Sequence, residues 1–134
     1  MNKKVLIVED EPSIANIYKL KLSSAGYSCQ IVYSGKQVID SIKSFQPDII
    51  LLDLMLPDLN GDKVLAKIRQ NKNYSQLPVV IITNVSRSEA PATIWHLGIH
   101  DYIVKASYTP AMVLEVVNRT LKNQEVAKLK PTTI

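Results

Sequence analysis

Short apolar runs separated by longer amphipathic stretches set the rhythm of this chain. Residues 5–8 (Val-Leu-Ile-Val), 49–52 (Ile-Ile-Leu-Leu) and 79–82 (Val-Val-Ile-Ile) are brief, rich in Val and Ile and bounded by polar residues. That is the signature of strands buried on both faces, as in a parallel sheet. The pattern predicts five strands, near residues 4–9, 28–32, 48–52, 79–82 and 101–104. Each is followed by a helical stretch. The first helix starts at Pro12-Ser13, carries Ile14, Ile17, Tyr18, Leu20 and Leu22, and stops at Gly26. The second starts at Ser34-Gly35 and stops before Pro47. The third follows the turn Pro57-Asp58-Leu59-Asn60-Gly61, with Val64, Leu65 and Ile68 inward. A fourth is expected from Ser86 or Ser88 to Gly98, and a fifth from about Pro110 to Lys122.

Strands joined by helical crossovers form parallel, right-handed βαβ units. The expected fold is α/β: a doubly wound (βα)5 three-layer sandwich of flavodoxin-like type, with parallel sheet order 2-1-3-4-5. In such a sheet, ligands bind beyond the carboxyl ends of the strands, where the strand order reverses, here between strands 1 and 3. Glu9-Asp10 ends the first apolar run and Asp53 ends the third, so three carboxylates converge. Three carboxylates in one pocket repel one another or raise their own pKa values. A hard divalent cation removes that conflict, which points to an Mg²⁺ site beside a reactive aspartate. Thr83 and Lys105 close the fourth and fifth runs on the same edge.

Composition adds limits. At 134 residues, 46% apolar and 21% charged, the chain fits one globular domain with a proper core. The domain is expected over residues 1–124, with 125–134 a tail or the start of a linker. No run is long enough to span a membrane. Met1-Asn2-Lys3-Lys4 is basic, but Glu9-Asp10-Glu11 interrupts the apolar stretch behind it, unlike a signal peptide. Cys29 is alone and fits a reducing cytoplasm. The formal charge is +4, but the basic residues are scattered, with no DNA-reading motif beside them, so direct nucleic-acid binding is not expected. Trp95, His96 and His100 lack partners at metal-ligand spacing and read as surface or packing residues. Cys29 reads as a half-buried strand residue.

The ordered segments Val8-Glu9-Asp10-Glu11, 48–57 (Asp-Ile-Ile-Leu-Leu-Asp-Leu-Met-Leu-Pro), Asn60-Gly61, Leu77-Pro78-Val79-Val80 and Asp101-Tyr102-Ile103-Val104-Lys105 resemble the receiver domains of two-component response regulators. The resemblance covers about residues 3–121. It implies that Asp53 is the phosphoacceptor, taking a phosphoryl group from the phosphohistidine of a histidine kinase or phosphotransfer protein. Asp10, Asp53 and the backbone carbonyl of Met55 would hold Mg²⁺, with Glu9 acting mainly through water. Lys105 and Thr83 would contact phosphoryl oxygens, and Tyr102 matches the aromatic that turns inward as the threonine moves. The implied output is a switched partner-binding face built from the fourth helix, fifth strand and fifth helix. It would act on an effector protein or a covalently linked effector domain, or through a phosphorylation-dependent homodimer. The chemistry would be self-directed phosphoryl transfer and autodephosphorylation rather than turnover of a substrate.

Two departures from the family pattern carry expectations. Ala106 follows Lys105 where the family usually has proline. A non-proline cis bond costs about 2.5–4 kcal/mol, so a trans bond is expected there. Asn84 replaces the usual Ala or Gly after the threonine, and its bulk is expected to screen the pocket. Two rivals were open to the same fold. A flavodoxin-like electron carrier needs a Ser/Thr/Gly-rich phosphate loop where Glu9-Asp10-Glu11 stands. An aspartyl-phosphate hydrolase commonly has a second aspartate where Met55 stands.

Overall fold

A computed structural model describes residues 2–129. Five strands form one parallel sheet: β1 (Lys4–Val8), β2 (Ser28–Val32), β3 (Ile49–Leu52), β4 (Val79–Thr83) and β5 (Asp101–Val104). Their order is β2-β1-β3-β4-β5, the order expected. Register is set by pairs such as Val8 with Leu52 and Thr83 with Val104, which align the carboxyl ends of β1, β3, β4 and β5 along one edge.

Side chains alternate across a strand, so every buried run serves two cores. Leu6, Val8, Ile50, Leu52, Val79, Ile81 and Tyr102 face the layer containing α2 (Val38–Phe45) and α3 (Gly61–Gln70). Val5, Ile7, Ile49, Leu51, Val80, Ile82 and Ile103 face α1 (Pro12–Ser24) and α4 (Pro110–Leu129). Helix α1 begins with proline at its first position, where no intrahelical N–H bond is lost. It ends before Gly26, whose φ of +98° suits glycine. Helix α2 ends at Gln46 in the left-handed region (φ 57°), followed by Pro47.

The expected fourth helix over 86–98 is not an α-helix. Two 3₁₀ turns, Arg87–Glu89 and Ala92–His96, stand there instead. Pro91 is the cause: the residue before a proline is pushed out of the α region, and Ala90 lies at φ −66°, ψ 147°. Among the described residues four α-helices therefore cover the sheet, and a pair of turns stands in place of the expected fourth helix. The last helix also runs past residue 122, to Leu129, with Val126 and Leu129 exposed. The expected tail over 125–134 is thus helical as far as Leu129, and residues 130–134 lie outside those described. Among the described residues, no helix is long and apolar enough to cross a membrane.

Candidate functional site

The sheet's hydrogen-bond ladder continues one residue past the strands and fixes the acids. Glu9 N–H donates to Val32 O (3.0 Å) and Asp53 N–H donates to Val8 O (3.1 Å). Both side chains are buried, at 1% and 3% exposure, while Asp10 beside them is open to solvent. One carboxylate oxygen from each of Glu9, Asp10 and Asp53 lies within 4.8 Å of the others. The convergence expected from the strand order is therefore present.

Lys105, the residue after β5, reaches across to both buried acids. Its Nζ donates to Asp53 Oδ2 at 2.7 Å and to Glu9 Oε1. The remaining oxygens take backbone donors: Met55 N–H to Asp53 Oδ1 (3.0 Å) and Glu11 N–H to Glu9 Oε2 (3.1 Å). Burial pushes the Glu9 carboxyl above its ordinary value, against the opposing pull of Lys105. Burial also works against the Lys105 ammonium, but its bonds to Asp53 and Glu9 outweigh that and raise its pKa. Three carboxylates against one ammonium leave two uncompensated negative charges. A cluster of hard oxygen donors with a deficit of two charges fits a divalent cation such as Mg²⁺.

Thr83 ends β4, fully buried, and its Oγ1 accepts the Val85 N–H at 3.4 Å. Tyr102 is turned inward: its hydroxyl donates to Val85 O (2.6 Å), so it holds the loop that follows Thr83. Its ring stacks on Trp95, with centroids 5.3 Å apart, and the Arg87 guanidinium lies 5.2 Å from the Trp95 ring and 5.5 Å from the Tyr102 ring. Trp95 is thus a packing residue, as expected. His100 lies exposed at the surface, its Nδ1 accepting the Val79 N–H (3.4 Å). Cys29 is half-buried on β2, again as expected. No peptide bond among the described residues is cis, so Lys105-Ala106 is trans, and Lys105–Ser107 forms a 3₁₀ turn leading to α4. Asn84 is exposed and borders a cavity of about 290 Å³ with Ile14, Ile17, Tyr18, Lys105 and Tyr108.

Several shaping residues carry no chemistry that a sequence pattern announces. A Cβ on Gly61 would sit 2.2 Å from Asp53 O, so α3 starts directly against the backbone of the candidate phosphoacceptor. The Asn60-Gly61 turn marked the position but not that contact. Asp58 bonds Gly35 and Lys36 more than twenty residues back along the chain, with nothing local to signal it.

Residues 5–118 match a family model described as the response regulator receiver domain. Response regulator ArlR of Staphylococcus saprophyticus is 41% identical over 102 residues, 76% of this chain and 45% of that protein. The alkaline phosphatase synthesis transcriptional regulatory protein PhoP of Bacillus subtilis is 32% identical over 127 residues, 95% of this chain and 52% of that protein. The chain spans about half the length of these curated relatives. A CheY-like response regulator receiver domain protein from Methanospirillum hungatei JF-1 superposes with a TM-score of 0.86 at 25% identity, covering 95% of this chain and 99% of that one. The BeF3-activated N-terminal receiver domain of Klebsiella pneumoniae RstA gives a TM-score of 0.80 at 26% identity, covering 90% and 99%. With its sheet order, its acid cluster and its bridging lysine, this chain belongs to the receiver domain family of two-component response regulators.

Proposed function

We propose that Asp53 is the phosphoacceptor of this receiver and that Glu9, Asp10, Asp53 and the Met55 carbonyl form its Mg²⁺ site. The observation that carries the reading is the cluster itself: three carboxylates within 4.8 Å, with Lys105 bridging the two buried ones. Asp53 has the lone-acid position at the end of β3, held by its ladder bond to Val8. One of its oxygens attacks phosphorus, the P–N bond of the donor phosphohistidine breaks, and the imidazole leaves with the bonding pair. Lys105 then follows the charge from the carboxylate to a phosphoryl oxygen, and the Thr83 hydroxyl donates to another. Bound Mg²⁺ would supply the charge neutralisation that lets a dianion approach three carboxylates. Asp10 and Asp53 would hold it directly, with Glu9 acting mainly through water.

A histidine kinase or phosphotransfer protein is the donor in this reading, and the setting is the cytoplasm. The output is an effector protein or linked effector domain, with a homodimer as one form of partner. The phosphorylated chain carries out no reaction on a second substrate beyond its own dephosphorylation. An electron carrier is disfavoured by the acids where a flavin phosphate would lie, and a hydrolase by Met55 in place of a second aspartate.

The test is the rate of phosphorylation by acetyl phosphate with Mg²⁺ and with a chelator, read on a phosphate-affinity gel. The wild type should be labelled only with metal, Asp10→Asn should be labelled much more slowly, and Lys105→Ala should retain metal dependence. Labelling that proceeds equally with chelator contradicts the metal site.

A further inference from the structure

The loop between β3 and α3 carries Met55, which is 61% exposed. The Met55 peptide must therefore be fixed through the backbone and through neighbouring residues. One side of it is fixed by its own N–H on Asp53 Oδ1 (3.0 Å). The far end of the loop is fixed where the Gly61 N–H donates to Leu54 O (2.9 Å). Between these points, Pro57 restricts the chain, and Asp58 follows it. The two Asp58 oxygens accept the Gly35 N–H (2.8 Å) and the Lys36 N–H (2.9 Å), the first donors of the 3₁₀ turn that leads into α2. The two loops touch without intervening side chains: a Cβ on Gly35 would meet Leu59 O at 2.4 Å.

We propose that Asp58 is a positioning residue for metal binding, strapping the Met55 loop to the start of α2 so that the Met55 carbonyl is held toward the acid cluster. The proposal rests on the Mg²⁺ site assigned above and assigns the loop geometry that the site depends on. The backbone donors of Lys36 and Gly35, with those of Asp58 and Leu59, hold the Asp58 carboxyl down to about 2. The strap therefore stays charged well below neutral pH. A ligand held in advance binds without the cost of ordering it, and such supporting contacts typically change metal affinity by about tenfold or more.

Calorimetric titration of the full chain with Mg²⁺ tests this against a matched control. Asp58→Ala should weaken Mg²⁺ binding about tenfold, and Asp58→Asn, whose amide oxygen still accepts an N–H, should restore part of the loss. Asp48→Ala is the control: its carboxylate accepts the Lys4 N–H (2.8 Å) at the opposite end of the sheet, so it loses a comparable bond and should keep wild-type affinity. Wild-type affinity in Asp58→Ala overturns the strap. An equal loss in Asp48→Ala also overturns it, because general destabilisation then accounts for the effect. No Mg²⁺ binding by the wild type overturns the metal site itself, and the strap with it.

Discussion

At the scale of single residues, the site is held together by opposed charges placed where burial disfavours them. Glu9 shows the tension most clearly. Its carboxyl sits above the ordinary value because it is buried. The folded chain therefore keeps that proton to higher pH than the unfolded chain does. Stability from this group falls as pH rises from about 4.5 through its folded value. Glu9→Gln should make the metal-free protein more stable at pH 7, by about 1 kcal/mol, the usual size of relieving a site tuned for function. The same change should weaken Mg²⁺ binding. Thermal unfolding with and without Mg²⁺ reads both effects, and a loss of metal-free stability would contradict the stated balance at Glu9. Lys105 shifts in the same direction over a higher pH window: its raised pKa gives stability that is present below its ordinary value and lost as pH climbs through the higher folded one. Asp53 and Lys105 were legible in the sequence because each follows an apolar run, and a strand's end fixes where its next side chain points. Asp58 and Gly61 were not, because their importance lies in contacts with distant or backbone atoms.

At the scale of elements, strands were easier to read than the connection between β4 and β5. The four-residue apolar runs admit one role in this fold, and the structure places all of them in the sheet. The stretch over 86–98 has helix-forming residues, yet Pro91 divides it into two 3₁₀ turns. The caps at Ser86 or Ser88 and the stop at Gly98 bound a helix-length stretch, but the proline inside it pushes Ala90 out of the α region. That irregular connection lies beside Thr83 and Tyr102, the pair expected to act as the switch. Tyr102 is inward, anchored on Val85 O and covered by Trp95 and Arg87, and the expected output face is made of these turns, β5 and α4. A phosphate on Asp53 shifts this arrangement only by what it binds differently in the two states, and Thr83, which accepts the Val85 N–H, is the proposed link. Trp95 is the single tryptophan of the chain, so its fluorescence reports on Tyr102. Phosphorylation should change that fluorescence in the wild type and leave it nearly unchanged in Thr83→Ala, which should still take phosphate. An equal change in both proteins would break the proposed link. Asn84, exposed at the edge of the same loop, should shield the aspartyl phosphate from water. Asn84→Ala should shorten the phosphate's lifetime severalfold, measured as released phosphate over time; an unchanged or longer lifetime removes the screening argument.

At the scale of the whole molecule, one parallel sheet with a core on each face delivers side chains from β1, β3, β4 and β5 to a single edge. The fold is rigid where the chemistry needs placement, because Glu9 and Asp53 continue the backbone ladder. The periodicity of the sequence was enough for this architecture, since a run buried on both faces leaves few alternatives to a covered parallel sheet. The extent of α4 was less legible, because its exposed last turns to Leu129 make no core contact that an apolar stripe would reveal. All three scales meet at Asp53, proposed as the one residue that accepts a phosphoryl group where the fold gathers the charges. Intact-mass measurement after incubation with acetyl phosphate and Mg²⁺ tests this directly, on the wild type and on Asp53→Asn. One covalent phosphate on the wild type and none on Asp53→Asn is the predicted result. A phosphate retained by Asp53→Asn, or an unmodified wild type, would contradict it.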